Sequence, residues 1–195
     1  MSHASAEIAA AAARMVVEEG AEYGPAKRRA AKQLGLSGRA DMPDNQEVED
    51  AVFEYLALFC ADTQPGELRA LRELAAVWMA RLAEFRPHLT GAVWRGTATR
   101  LNDIHLQLYC DDSKSAEIAL LNQGLDYDVG SAPGPRGDSV DRLSLTIPCR
   151  ALNEAIGLHL TMLDADDLRG ALKPDARGKA ERGDLNALNK LLATE

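Results

Sequence analysis

The apolar residues of this chain change their period at Pro87, and that change limits the class of fold it can adopt. Before Pro87 they recur every three to four positions, as one face of a helix requires. After it they fall on alternate positions, the mark of a half-buried strand. The expectation is an α+β protein. A helical region over residues 1–87 precedes a mixed β-sheet core with flanking helices over residues 88–195.

Within the first region, residues 4–34 predict one or two alanine-rich helices, with Ile8, Met15 and Val16 on the apolar stripe and breaks at Gly20 and Gly24-Pro25. Residues 35–43 read as a loop on the strength of Gly35, Ser37, Gly38 and Pro43. Asp44 or Asn45 suits the cap of the next helix, where Val48, Val52, Tyr55, Leu56 and Phe59 keep helical spacing. Pro65 opens a third, followed from Leu68 to Phe85 until Pro87 stops it. Such stripes are expected to pack together as a small bundle.

Beyond Pro87, residues 89–94 suit a strand. Over residues 103–110 the alternation is clean: Ile104, Leu106, Leu108 and Cys110 share one face, Asp103, His105, Gln107 and Tyr109 the other. A helix from Ser113 to Gly124 follows, then a short strand over 125–129 and a Gly-, Pro- and Ser-rich loop over 130–139. Strands over 142–148 and 157–163, a short helix after Asp164 and a last helix over 185–192 complete the pattern. Short links between some strands and a helix between others imply a mixed sheet.

A net charge of −8 excludes a protein whose whole surface embraces nucleic acid. The longest apolar stretch, residues 8–17, is mostly alanine and too short to span a bilayer. No Lys or Arg precedes it, so the pattern of a secretory leader is missing, and a cytoplasmic location away from membranes is expected. Cys60, Cys110 and Cys149 are odd in number and set in apolar runs, as buried free thiols in a reducing compartment would be.

The stretch richest in chemistry is Gly91 to Asp112, GAVWRGTATRLNDIHLQLYCDD: a strand, a glycine–threonine turn, then a strand opening on Asp103-Ile104-His105. It resembles the signature of the polymerase-beta-type nucleotidyltransferase superfamily, in which a glycine and a hydroxyl residue precede Asp-x-Asp on the second strand. The resemblance covers residues 88 onward. It implies a core that binds a nucleoside triphosphate and Mg2+ and transfers a nucleotidyl group to an acceptor the sequence does not name. Carried over by position, Gly96 and Thr97 match the phosphate-binding pair, Arg95 and Arg100 flank it as phosphate contacts, Asp103 matches the first acidic residue and His105 stands at the second. For the third, Asp126 and Asp128 share one face of the next strand, while His159 stands further on, in the same local frame as His105.

Histidine in place of a carboxylate departs from the family pattern, because imidazole favours transition metals over magnesium. Two further expectations follow. One is a site for a transition metal such as Zn2+ on Asp103, His105 and His159. The other is a core that kept the shape, lost the chemistry and binds protein or RNA. The basic cluster Lys27, Arg28, Arg29 and Lys32 is either a solvated helix face or an anion contact, RNA included. Each candidate also has a purely structural reading. Asp103 can accept backbone N–H groups at a strand start, Thr97 can cap a turn, His105 and His159 can be solvated, and Asp164, Asp166 and Asp167 can open a helix.

Overall fold

The computed structural model describes residues 2–36 and 41–195, and it divides the chain into two compact units. The first comprises residues 1–67 together with 97–101, and the second residues 68–96 and 102–195. The division falls inside the third expected helix rather than at its end, so most of that helix belongs with the sheet. Part of the expected loop over 35–43, including Ser37 and Gly38, lies outside the described residues.

In the first unit, α1 (His3–Glu19) begins where the Ser2 hydroxyl accepts the Ser5 N–H, and ends where Gly20 turns left-handed at φ 68°. The second helix, α2 (Tyr23–Gln33), starts ahead of Gly24-Pro25 and absorbs both in its first turn, where proline's missing N–H is no loss. A capping box starts α3 (Asn45–Phe59): Asp44 accepts the Glu47 N–H while the Glu47 carboxylate takes the Asp44 N–H. The core is a seam of small residues, Ala12, Ala13, Ala26 and Ala30, threaded by Ile8, Val48, Val52 and Leu56. Alanine at those positions lets helix backbones approach closely.

The second unit takes α4 (Gln64–Arg81) from Leu68 onward, then β1 (His88–Thr90), α5 (Gly91–Arg95), β2 (Ile104–Cys110), α6 (Ser113–Asn122), β3 (Asp128–Pro133), β4 (Ser139–Cys149), β5 (Glu154–Asp164), α7 (Leu168–Ala171), β6 (Arg182–Gly183) and α8 (Leu185–Thr194). One six-stranded mixed sheet runs in the order β3-β4-β5-β2-β1-β6. Only β2 and β5 are parallel; every other pair is antiparallel. Ile104, Leu106, Leu108, Leu143, Leu145, Leu158 and Leu160 make its buried face, and α6 and α8 pack against its strands.

Three readings of the sequence need correction. Residues 130–139 are not a loop: β3 and β4 form a hairpin through them, closed at Gly134–Asp138. Pro133 is tolerated because β3 is an edge strand. The strand expected over 89–94 ends at Thr90, since Gly91 takes φ 73° and starts α5. The polar link before the last helix contains β6, paired to Leu89 and Thr90. The cysteines are all free, Cys110 and Cys149 buried and Cys60 only half-buried. No helix among the described residues is long and apolar enough to cross a membrane.

Candidate functional site

Register alone assembles a row of polar, mostly half-buried side chains across one face of the sheet. Arg182 pairs with Thr90, Thr90 with His105, His105 with His159, His159 with Ser144, and Ser144 with Asp128. Residues in register share a face, so the row spans all six strands. The next row along the strands, about 7 Å away, holds His88, Gln107, Thr161 and Arg142.

The centre of the first row is hydrogen-bonded. Asp103, just before β2, accepts the Gly157 N–H on Oδ1 at 3.1 Å, and its Oδ2 lies 2.8 Å from His159 Nε2. The other nitrogen of that ring, Nδ1, lies 2.8 Å from the Ser144 hydroxyl. Gly157 is indispensable to this contact, because a Cβ there would stand 2.5 Å from the Asp103 carboxylate carbon. His105 stacks on His159 with ring centroids 4.8 Å apart. Burial, reinforced by the neighbouring His159, pushes the His105 imidazole down to about 4, so it is neutral at physiological pH.

Along the same face lies a cavity of about 550 Å³, floored by Gln107, Tyr109, Thr161 and Leu163. Its walls are the hairpin turn at Pro133–Arg136, Asp166, Asp167, Gly170 and Ala171 around α7, and Arg182. Tyr109 donates its hydroxyl to Gln107 Oε1 at 3.0 Å, and burial raises its phenol while Arg182 beside it pulls the other way. Arg136 is neutralised by Asp167 at 2.7 Å. Arg182 pairs through one terminal nitrogen with Glu181, yet its Nε is buried without a partner, and so is the Nε of Arg142.

The expected site residues separate into two groups. Asp103, His105 and His159 converge, and Asp128 stands exposed at the end of their row. Gly96 closes α5 at φ 93°, with exposed Arg95 before it. Thr97 and Arg100 belong to the first unit, where the Thr97 side chain is buried and its hydroxyl has no partner. The glycine that faces the polar row is Gly91, where a Cβ would stand 3.8 Å from His105 Cδ2. Sequence reasoning placed Tyr109 on this face but missed Gly91, Ser144, Arg142 and Arg182 as members of it. The Thr90-Gly91 pair at the end of the first strand was a usable signal for Gly91.

A divalent ion fits the residues present poorly. Both Asp103 oxygens and both His159 nitrogens already have protein partners, and among the described residues no three His, Cys, Asp or Glu side chains are placed to hold an ion. On α2, Lys27 is tied to the Pro43 carbonyl and Asn45, and Arg29 to Glu19, which leaves the basic cluster half committed to structure. Asp164 caps the turn Ala165–Asp167, the structural role expected of that cluster. Comparisons with protein-family models, with curated proteins and with solved structures found no match to this chain.

Proposed function

We propose that the second unit is a nucleotidyltransferase-like core that binds a nucleotide-sized, phosphate-bearing ligand on the polar face of its sheet. The observation that carries this reading is the cavity of about 550 Å³ with the cationic Arg182 side chain in its wall. That volume lies in the range of small-molecule sites, and guanidinium is the side chain best shaped for phosphate. Tyr109, Gln107 and Thr161 on the floor offer neutral hydrogen-bonding groups for the rest of the ligand. The order of β1, α5 and β2, with Gly91 at the first turn and Asp103 at the head of β2, agrees with the resemblance.

Binding is favoured over two-metal transfer. His105 is neutral where a second carboxylate would stand, and Asp103 is committed to Gly157 and His159. Calorimetric titration with ATP, GTP, CTP and UTP, with and without Mg2+, tests the reading. At least one triphosphate is expected to bind without the metal. The variant Arg182→Met should weaken it about tenfold or more. No heat with any triphosphate refutes the proposal. Binding only with Mg2+, together with turnover that Asp103→Asn abolishes, would restore the transferase.

A further inference from the structure

The row that holds Asp103 is also an unbroken relay from carboxylate to imidazole to hydroxyl. A carboxylate accepts and cannot donate, so the 2.8 Å contact between Asp103 Oδ2 and His159 Nε2 places the ring proton on Nε2. Nδ1 is then a bare lone pair, and the Ser144 hydroxyl at 2.8 Å donates into it. This is the state in which an imidazole can take a proton from a serine. Asp103 is fixed from a second side by the Gly157 N–H, and the His159 ring is fixed in plane by His105 stacked on it. The relay is accessible: the Asp103 side chain is 46% exposed and that of His159 20%.

We infer that Ser144 is a nucleophile, with His159 as its general base and Asp103 as the positioning carboxylate, acting on an activated acyl group such as an ester or thioester. Ser144 Oγ adds to the acyl carbon as its proton passes to His159 Nδ1. The carbonyl π pair moves to oxygen and returns as the bond to the leaving alkoxide or thiolate breaks, and the leaving group takes the proton from Nδ1. Water then gives a proton to Nδ1 as its oxygen adds to the acyl carbon. Ser144 Oγ departs with that proton and a carboxylic acid is released. Asp103 stays ionised throughout, holding the tautomer and balancing the transient imidazolium.

The charge on the acyl oxygen has a neighbour. Arg142 is the next residue of β4 on this face, and its positive charge bears on His105 two strands away. The cavity begins in the following row, at Thr161 and Gln107, and gives the acyl chain a polar bed. The inference does not rest on nucleotide binding, because acylation of Ser144 needs no nucleotide.

The test uses the full chain, incubated with a biotinylated fluorophosphonate and, in parallel, with p-nitrophenyl acetate. Peptide mass spectrometry is expected to place the adduct on Ser144. His159→Gln should slow labelling at least about a hundredfold, and Asp103→Asn about tenfold or more. With folding verified by circular dichroism, no adduct on Ser144, an adduct on another residue only, or equal labelling of His159→Gln overturns the inference. Should a variant fail to fold, adduct mapping on the wild-type chain decides alone.

Discussion

His105 is polar by its place on the strand and yet largely withdrawn from water by its neighbours. Alternation puts it on the polar face of β2, yet burial beneath its neighbours holds its imidazole down to about 4. Around it stand His159, which also opposes its charging, Arg142, which does the same, and Asp103, which favours it. The folded pKa lies below the ordinary value of 6.5, so the unfolded chain binds a proton over a range in which the folded chain does not. Stability is therefore full above about pH 6.5 and lost as pH falls towards about 4, by at most about 3 kcal/mol from this group. His105→Gln removes the titration and keeps a neutral polar side chain. Urea unfolding at pH 7 and about 4.5 should show a smaller loss for the variant than for the wild type. Equal losses would mean that His105 charges as readily in the fold as out of it.

At the scale of elements, what could be read in advance was what repeats. Each of β2, β4 and β5 places leucine or isoleucine on alternate positions, and α3 announces itself through Asp44 and Glu47 as well as its stripe. The edge strand β3 has no such pattern: Gly130 and Pro133 suit a turn, and it is a strand only because β4 pairs with it. β6 is two residues long and β1 three, too short for any period to show. The five-residue α5 is held by a side chain rather than by propensity. Arg72, buried in α4, donates Nε to the Val93 carbonyl at 2.9 Å and a terminal nitrogen to that of Trp94 at 2.8 Å, and pairs with Glu195. Those carbonyls lie in the last turn of α5, where a helix leaves them unpaired and where positive charge is favourable. Arg72→Met keeps the stem's bulk and strands both carbonyls and Glu195. Its expected cost is about 3 kcal/mol, measured by urea denaturation, with Arg72→Lys recovering only part. A loss under about 0.5 kcal/mol would show that α5 stands without it.

At the scale of the whole molecule, the fold class was legible and the site was half legible, for one physical reason. Period reports which face a residue takes, so Asp103, His105 and His159 could be placed on polar faces from the sequence. It does not report which strands pair. The parallel register of β2 with β5, which sets His105 against His159 and brings Asp103 to Gly157, joins residues more than fifty positions apart. Ser144 and Arg182 carry no local mark at all and join the site only through pairing. The division of the chain is hidden likewise, because residues 97–101 return to the first unit after the second has begun. The first unit nevertheless has a core of its own, with Ile8, Val48 and Val52 fully buried among alanines of α1 and α2. Removing part of that core should be felt first where the core is. Val52→Ala opens a void among small side chains that have little bulk with which to fill it, a loss of about 2 kcal/mol. Hydrogen exchange on the full chain is expected to quicken across α1, α2 and α3, with amides of β2, β4 and β5 keeping their wild-type rates. Equal quickening of the sheet amides would show instead that the two cores open as one cooperative body.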